Sequence, residues 1–572
     1  MQAADWIAGF LAEQGVDRVF EVAGGMIANF VDALYRDGRV TVISCHHEQA
    51  AGFAAEGHAR MTGVPGVAMG TSGPGAINLL TALGSCHFDS TPAVFITGQV
   101  NRSEQKLDRP IRQLGFQETD VVSMAAPIAK AAWRVASSEE LTVRLREAFE
   151  LARSGRPGPV LVDIPFDLQR AEVTDAGATK KTTTTSSEPV DSDVAESIIA
   201  DLARAERPLV LAGGGLRAGG AVEAFRGLAK LLGVPVAHSL MGVDVLPFDD
   251  PMRVGLIGTY GNRWANIALS RCDALLVMGS RLDIRQTGAD TEAFGAGKTI
   301  YHVDCDPGEV NNRVQGCQAV LSNLSAAISA LATAAGADTG GASADWLGEI
   351  DELAQRWPDT GELPEIEGIN PNALMHQLSD QSEVAAYVAD VGQHQMWAAQ
   401  SLELGGDQRF LTSGGMGAMG SGLPLAIGAC LAAGGRPVVL ICGDGGFQLN
   451  IQELQTVFRN QLPLRIVVLN NGCHGMVRQF QESYFDGRYA STLWGYSAPA
   501  FARVAEAYGI PARQISRSEE LAGAITDLHA AAGPYLLDIP IDVYANAYPK
   551  IAFGHPISEM EPFVAPKAME AT

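Results

Sequence analysis

A carboxylate and an amide stand near the two ends of one short unit, CGDGGFQLNIQELQTVFRNQLPLRIVVLNNG, which spans residues 442–472. Asp444 lies between glycines after the apolar run PVVLIC, and Asn471 ends a double asparagine after LRIVVLN. Carboxylate and amide oxygens suit Mg²⁺, which keeps phosphate oxygens and water as its other ligands. The backbone carbonyl of Cys473 would fill a further metal position. These residue types therefore predict a site for Mg²⁺ and a phosphate group.

The elements that must position these two side chains are two strands and a crossover helix. PVVLIC and LRIVVLN have the continuous apolar character of buried strands, and LNIQELQTVFRNQ between them has helical spacing. In such a β-α-β unit both strands end at the same edge of the sheet, and the crossover is right-handed. We therefore expect Asp444 and Asn471 to lie side by side, with helix N–H groups available to an anion. Either GDG or NNG alone would usually be only a turn.

Composition restricts the class of protein. The chain has 572 residues, 47% of them hydrophobic and 19% charged, with a formal net charge of −24. This charge argues against nucleic acid or an anionic membrane as a general partner. The eight cysteines form no CxxC pair, which predicts neither a disulfide framework nor a zinc site. The N-terminus has no basic leader and no apolar run is long enough for a membrane span, so we expect a cytoplasmic enzyme.

Apolar strands alternate with helical patterns in three blocks, which predicts an α/β protein with three doubly wound parallel-sheet domains. Two passages poor in apolar residues, AEVTDAGATKKTTTTSSEPVDSD and AAGADTGGASADW, separate the blocks. The predicted organisation is a first domain at 1–170, a linker at 171–190, a central domain at 191–340, a linker at 341–360, a third domain at 361–550 and a C-terminal tail at 551–572.

The GDG turn followed by a double asparagine resembles the thiamine diphosphate (ThDP) motif. SGPGAINLLTAL, ITGQV, FQETD, DVGQHQMWAAQ and LTSGGMGAMGSGLPLAIGA extend the resemblance to the acetolactate (acetohydroxyacid) synthase family over nearly the whole chain. The resemblance implies a pyrimidine-binding first domain, a central domain similar to those that bind FAD, and a third domain that binds the diphosphate and Mg²⁺. Asp444, Asn471 and the carbonyl of Cys473 would then hold the metal.

The same resemblance implies roles for further residues. Glu48, in HHEQAAGFAAEGHAR, would contact the aminopyrimidine ring and activate the cofactor, although without the family match an acid in the first turn of a helix is the simpler interpretation. Met419 would support the cofactor from beneath, where the alternative is a core methionine. Gly25, Phe116 and Gln117 would complete the catalytic set. The remaining ThDP contacts would be Gly392, Gln393, His394, Gly417, Gly443, Gly445, Gly446, Gly475 and Met476.

The central domain resembles the FAD-holding domain of that family through LAGGG, SLMG, GLIGTYG, GSRLDIRQTG and HVDCDP. Glycines permit close approach to a dinucleotide, arginines pair with phosphate and strand-end aspartates accept ribose hydroxyls. Ile284 stands where the family usually has another acid. The implied FAD residues are Gly213, Gly214, Gly215, Leu240, Met241, Gly279, Arg281, Arg285, Asp304 and Asp306.

The resemblance implies decarboxylation of a 2-oxo acid, after which the bound fragment is either protonated or joined to a second carbonyl. RQLGFQETD lacks the histidines that decarboxylases of this kind use as proton donors, which favours carboligation. Phe480 stands where the family has Trp and Phe166 where it has Lys, and Met476 would line the same pocket. A change of this size in an apolar pocket is worth about 1–3 kcal/mol of discrimination, so it would retune specificity.

We therefore predict an acetolactate synthase-like carboligase, with pyruvate as the leading substrate. The alternatives are a specialised 2-hydroxy-3-oxo acid synthase with another donor or acceptor, a flavin oxidoreductase similar to pyruvate oxidase, and a scaffold that retains only the fold. In the resembled family the site forms between subunits, which implies a homodimer or homotetramer. The resemblance leaves the need for a regulatory subunit open.

Overall fold

Three parallel six-stranded sheets organise the chain, and the computed structural model describes residues 1–173, 190–336, 341–379 and 381–567. The predicted α/β class with three doubly wound sheets is confirmed. In the part of the chain that the structure describes, no helix combines the length and the apolar character needed to cross a membrane.

The first sheet has the strand order β2-β1-β3-β4-β6-β5. Its strands are β1 (Arg18–Glu21), β2 (Thr41–Ser44), β3 (Gly66–Gly70), β4 (Ala93–Gln99), β5 (Ala131–Arg134) and β6 (Pro159–Pro165). Its helices are α1 (Ala3–Glu13), α2 (Ala28–Asp37), α3 (Glu48–Thr62), α4 (Pro74–Phe88), α5 (Val121–Ala125), α6 (Ser138–Arg153) and α7 (Phe166–Gln169). The direction of winding reverses between β1 and β3, so a crevice is expected there.

In the second sheet the first strand lies near the centre, and later strands are added on both sides of it. Its strands are β7 (Pro208–Ala212), β8 (Val236–His238), β9 (Arg253–Leu256), β10 (Ala274–Met278), β11 (Thr299–Asp304) and β12 (Gln318–Leu321). Its helices are α8 (Ser192–Arg204), α9 (Gly215–Ala218), α10 (Val222–Leu232), α11 (Arg263–Arg271), α12 (Ile284–Thr287), α13 (Thr291–Gly295), α14 (Leu324–Ala335) and α15 (Ala344–Arg356). The order β12-β11-β10-β7-β8-β9 is that of dinucleotide-binding sheets, with the crevice between β7 and β10.

The third sheet, β14-β13-β15-β16-β18-β17, repeats the order of the first. Its strands are β13 (Ala386–Ala389), β14 (Arg409–Leu411), β15 (Val438–Gly443), β16 (Leu464–Asn470), β17 (Ala512–Gln514) and β18 (Tyr535–Pro540). Its helices are α16 (Pro371–Ser379), α17 (Gln393–Ser401), α18 (Gly422–Ala432), α19 (Asp444–Gln448), α20 (Leu454–Arg459), α21 (Gly475–Tyr484), α22 (Phe501–Ala507) and α23 (Leu521–Ala530). The switch in winding lies between β13 and β15.

The two predicted linkers differ in the structure. Most of 171–190 lies outside the described residues. The segment 341–360 contains helix α15, whose Trp346, Ile350 and Leu353 are buried. The tail forms a short antiparallel pair, β19 (Lys550–Ile551) with β20 (Met560–Glu561), and packs in the central core. The domain boundaries themselves stay predictions.

The first and third sheets share one hydrophobic core, because helices α3 and α18 pack tightly together. A Cβ atom on Gly57 would lie 2.2 Å from the carbonyl oxygen of Leu425, so only glycine fits at this crossing. Helix α3, which begins at Glu48, is therefore packed closely against the third domain.

Candidate functional site

The carboxylate and the amide lie at one edge of the third sheet. Strands β15 and β16 pair in parallel with Gly443 opposite Leu469, Asp444 follows β15 at once, and Asn471 follows β16. The predicted juxtaposition is therefore present. The crossover is not the single helix predicted for 449–461, because helices α19 and α20 are separated by a 3-10 turn at Ile451–Glu453.

Asp444 is buried, with 2% of its surface exposed. The Tyr496 hydroxyl donates to its Oδ2 atom at 2.9 Å, and burial raises the pKa of the Asp444 carboxyl to about 6. Asn471 donates from Nδ2 to Oε1 of Gln393 at 3.2 Å and accepts the Cys473 N–H at 3.2 Å. A buried carboxylate whose partner is a neutral hydroxyl fits a cation that supplies the missing charge.

Next to Asp444 and Asn471, two glycines leave no room for a side chain unless a neighbouring side chain moves. A Cβ atom on Gly475 would lie 1.9 Å from Oε1 of Gln393, and one on Gly446 would lie 2.1 Å from Oδ2 of Asp390. The Asp390 carboxylate, which is fully buried, also accepts the Gly420 N–H at 3.0 Å. Backbone without side chains at the switch point of a doubly wound sheet suits the close approach of a diphosphate.

His394 lies beside these turns with a buried Nε2 atom that has no partner. Burial lowers the pKa of its imidazole to about 3, while the backbone carbonyl of Asp390 accepts a hydrogen bond from the ring. An anion in the crevice would favour the protonated imidazole and give Nε2 an acceptor. His394 therefore fits a diphosphate.

Within the described residues, no group of three His, Cys, Asp or Glu side chains is arranged to hold a metal ion. A metal at this edge would depend on Asp444 together with amide and backbone oxygens. This donor set matches the oxygen preference of Mg²⁺. The remaining predicted ThDP residues of the third domain lie at the strand ends and helix starts of the same sheet edge, namely Gly392, Gln393, Gly443, Gly445 and Met476.

Met419 lies on the loop between β14 and α18, and 39% of its surface is exposed. Gly417, two residues before it, has a left-handed φ of 66°. The alternative interpretation of Met419 as a core methionine is therefore wrong for this chain. The exposed thioether is available to support a ligand at the crevice.

Glu48 is the first residue of helix α3 and is half-buried. Its Oε2 atom accepts a hydrogen bond from Asn78 at 2.9 Å, and its Oε1 atom lies 3.2 Å from the position of a Cβ atom on Gly75. Gln117, with a left-handed φ of 66°, contacts the same turn at Gly73, 3.0 Å from the corresponding position. The structure thus brings Glu48 and Gln117 to one edge of the first sheet.

The other predicted catalytic residues lie in open surroundings. Phe116 is 81% exposed, and a Cβ atom on Gly25 would meet no atom within 4 Å. The described contacts of the Glu48 carboxylate are with the first domain, whereas those of Asp444 are with the third.

A cavity of about 1170 Å³ opens at the switch point between β7 and β10 of the central sheet. The predicted FAD residues that line it are Gly214, Gly215, Leu240, Met241, Gly279, Arg281, Arg285 and Asp304. Gly213 lies directly behind, since its Cβ atom would be 2.1 Å from the carbonyl oxygen of Gly279. Asp306 is outside the lining; it accepts the Gly308 N–H, and one of its carboxylate oxygens lies 3.4 Å from the Arg156 guanidinium.

The first and third domains close this cavity with residues that sequence reasoning missed, among them Arg60, Asp89, Arg156 and Arg409. Asp89 accepts the Gly414 and Gly415 N–H groups at 3.1 and 2.6 Å. No motif in the sequence marks these side chains. The size, the arginines and the glycine cradle fit a dinucleotide.

The predicted substrate-pocket residues Phe480 and Phe166 have aromatic and cationic neighbours, respectively. The ring of Phe480 lies 4.7 Å from Tyr484 and 5.6 Å from Phe485. Phe166 begins helix α7, and the Arg170 guanidinium lies 5.1 Å from its ring centroid. A cation is thus retained four residues after Phe166, stacked on the ring.

Comparisons with known proteins agree with this arrangement. Residues 1–124, 195–331 and 390–539 match the N-terminal TPP binding domain, the central domain and the C-terminal TPP binding domain of thiamine pyrophosphate enzymes. The acetolactate synthase isozyme 2 large subunit of Escherichia coli (strain K12) is 40% identical over 98% of this chain and 99% of its own length.

Similar proteins also occur in other organisms. A probable acetolactate synthase large subunit of Methanocaldococcus jannaschii is 35% identical, over 97% of this chain and 94% of its own. Acetolactate synthase 1, chloroplastic, of Oryza sativa subsp. japonica is 36% identical, over 98% of this chain and 87% of its own. The chain therefore belongs to the acetolactate synthase family of thiamine pyrophosphate enzymes.

Proposed function

We propose that this protein is a ThDP- and Mg²⁺-dependent carboligase that decarboxylates a 2-oxo acid and joins the remaining fragment to a second carbonyl. Pyruvate is the leading substrate and acetolactate the leading product. The observation that carries the proposal is the meeting of Asp444, Asn471 and Gly475 at the carboxyl edge of the third sheet, next to its switch point. Bound ThDP supplies the carbon nucleophile and the electron sink of the reaction.

The residues of the third domain bind and orient the cofactor in this proposal. Asp444, Asn471 and the backbone carbonyl of Cys473 hold Mg²⁺, which neutralises the diphosphate. His394 and the N–H groups of the glycine turns contact the phosphate oxygens. Met419 supports the cofactor from the loop that precedes α18.

Glu48 accepts and returns a proton at the aminopyrimidine ring. Its hydrogen bond from Asn78 orients the carboxylate, and Gln117 faces the same crevice. The substrate side offers the exposed Phe116 ring and no histidine between residues 109 and 120. A site short of proton donors favours attack on a second carbonyl over release of an aldehyde.

FAD is the proposed occupant of the central cavity. The strand order of dinucleotide-binding sheets, the arginines at 281 and 285 and the close contact of the Gly213–Gly215 turn with Gly279 support it. Its role here is to fill a space between three domains, so it holds them in place.

Replacement of Gly215 with valine tests the cavity. A Cβ atom at this position would lie 2.8 Å from the Cα atom of Gly279, so the side chain forces the two turns apart and occupies the cradle. We expect purified Gly215→Val protein to contain less than about one tenth of the flavin of the unaltered protein, measured by absorbance after denaturation. Gly227→Val, on the exposed side of helix α10 with open space around its Cβ position, is the control and should retain the flavin.

Two alternatives differ from this proposal in the substrates or in the reaction. Phe480 and Phe166 replace the Trp and Lys of the family in the predicted substrate pocket, so a specialised 2-hydroxy-3-oxo acid synthase with another donor or acceptor is the second candidate. A flavin-dependent oxidase similar to pyruvate oxidase is the third.

Product identification separates these candidates. Protein with ThDP and Mg²⁺ is incubated with paired 2-oxo acids and aldehydes, and products are identified by mass while oxygen is monitored. We expect acetolactate from pyruvate without oxygen uptake. A different ligated product would establish the specialised synthase, and oxygen uptake with pyruvate would favour the oxidase.

The proposed assembly is a homodimer or homotetramer whose active sites lie between subunits. The half-buried Glu48 and the exposed Phe116 support it, because a second subunit could cover both side chains. The partners are small 2-oxo acids. The cytoplasmic location stays a prediction.

A further inference from the structure

The crossover segment between the two proposed metal ligands docks on the turn that carries Glu48. Strand β15 ends before Asp444, and the chain then passes through residues 450–459 before it returns to β16. Three side chains of this crossover reach the segment 44–49 of the first domain, from Asn450, Glu453 and Arg459. The crossover is therefore more than a connection between two strands.

Glu453 makes the central contact. Its Oε1 atom accepts the backbone N–H groups of His46 at 2.9 Å and His47 at 3.1 Å, and its Oε2 atom accepts the Thr456 hydroxyl at 2.6 Å. The side chain is completely buried. His46 and His47 directly precede Glu48, and N–H groups at the start of a helix have no acceptor within the helix. One carboxylate from the third domain thus fixes how the chain enters helix α3.

Asn450 binds Gln49, the residue that follows Glu48. Its Nδ2 atom donates to Oε1 of Gln49 at 3.1 Å and to the carbonyl oxygen of Gly420 at 2.8 Å. Gly420 follows Met419 in the loop between β14 and α18. The residues before and after Glu48 are therefore both bound by the segment that separates Asp444 from Asn471.

We propose that Glu453 is a positioning residue that aims the Glu48 carboxylate, and this rests on the proposed role of Glu48. Glu453 itself contacts neither substrate nor cofactor. Loss of its two hydrogen bonds releases the entry of helix α3 and lets the carboxylate of Glu48 move relative to the cofactor. A displacement of about 1 Å at a catalytic group lowers a rate about 100-fold.

Three variants test the proposal. Glu453→Ala removes the hydrogen-bond acceptor. Glu453→Asp keeps the charge but shortens the side chain by one carbon. Glu453→Gln keeps an acceptor oxygen at Oε1 and places an amide N–H group where the Thr456 hydroxyl oxygen can accept it. The readout is the rate of hydrogen–deuterium exchange at C2 of bound ThDP, measured by acid quench and proton NMR. This rate depends on Glu48 and requires no substrate. Binding of ThDP is measured in parallel by calorimetry.

We expect exchange to fall about 100-fold in Glu453→Ala and about tenfold in Glu453→Asp, and to be largely restored in Glu453→Gln. ThDP affinity should change little, because Asp444 and Asn471 remain. Glu453→Asp keeps the test valid if the alanine variant does not fold. Wild-type exchange in Glu453→Asp, or a loss in Glu453→Gln as large as in Glu453→Asp, would overturn the proposal.

Two further variants separate this inference from its premises. Glu362→Asp shortens another buried carboxylate, which pairs at 2.7 Å with Arg263 of helix α11, and should change stability without changing exchange. A slowing of exchange in Glu362→Asp as large as in Glu453→Asp would overturn the inference. Glu48→Gln with unaltered exchange would reject the role of Glu48 itself, and a failure of the wild-type protein to bind ThDP would reject the proposed function.

Discussion

Replacement of Glu48 with glutamine is expected to lower kcat for carboligation by about 10²–10⁴-fold, the usual contribution of a positioned acid–base group. Glutamine keeps the size of the side chain and its hydrogen bond from Asn78, but it cannot exchange a proton with the aminopyrimidine ring. The KM for the 2-oxo acid should stay within about threefold, because Glu48 is assigned to the cofactor and not to substrate binding. Steady-state kinetics at saturating ThDP and Mg²⁺ measure both quantities.

The control for this variant is Glu13→Gln, the same substitution at an exposed position of helix α1 in the first domain. It should leave most of the activity in place. A Glu48→Gln protein that turns over within about tenfold of the unaltered protein would remove Glu48 from the acid–base role, since that loss is below what such a group contributes.

Replacement of Asp444 with alanine should weaken Mg²⁺-dependent binding of ThDP by more than about 100-fold, because a direct ligand contributes more than the supporting residues that cost 10–100-fold. The variant removes the only carboxylate proposed for the metal and leaves the Tyr496 hydroxyl without its acceptor. Calorimetric titration of ThDP at fixed Mg²⁺ measures the loss. Asp538→Asn, a change at another buried carboxylate of the same sheet, is the control and should retain tight binding.

The same carboxylate predicts how binding depends on pH. Burial raises the pKa of Asp444 to about 6 in the metal-free chain, so a proton competes with the metal below that value. The apparent Mg²⁺ affinity should be constant above pH 6 and fall about tenfold per pH unit below it. Affinity that is unchanged down to pH 4.5 would contradict the assignment of Asp444 as a ligand.

Co-expression of the two variants examines the interface between subunits. A mixed dimer of Glu48→Gln and Asp444→Ala chains contains one site with both changes and one with neither, if each site uses Glu48 from one chain and Asp444 from the other. Partial recovery of activity is the expected result. Absence of recovery in purified mixed dimers would place both residues in the same site of one chain.

Sequence patterns predicted most of the interior strands, because these are buried on both faces and have continuous apolar runs. The three-residue interior strand β8 and the edge strands other than β2 were not predicted. β12 (Gln318–Leu321) is mostly exposed, and β14 (Arg409–Leu411) has only three residues. Such strands lack the apolar run on which the prediction depends, so tertiary packing determines them.

The candidate site was predictable where topology alone decides it. Asp444 and Asn471 meet because each follows a parallel strand, and this follows from local patterns. The hydrogen bonds from the His46 and His47 N–H groups to Glu453 were not predictable, since more than 400 residues separate Glu453 from these two residues. The same is true of Arg156 and Arg409 at the central cavity. Neighbouring domains supply these groups, and a single sequence carries no signal for them.

The measurement that tests the account most directly is the balance of products formed from pyruvate by protein loaded with ThDP and Mg²⁺. Acetolactate and CO₂ are quantified in the same reaction, with dissolved oxygen recorded throughout. We expect equal amounts of acetolactate and CO₂ and no oxygen consumption, since two pyruvate molecules combine with loss of one CO₂. Release of CO₂ with acetaldehyde in place of acetolactate, or consumption of oxygen in step with CO₂, would contradict it.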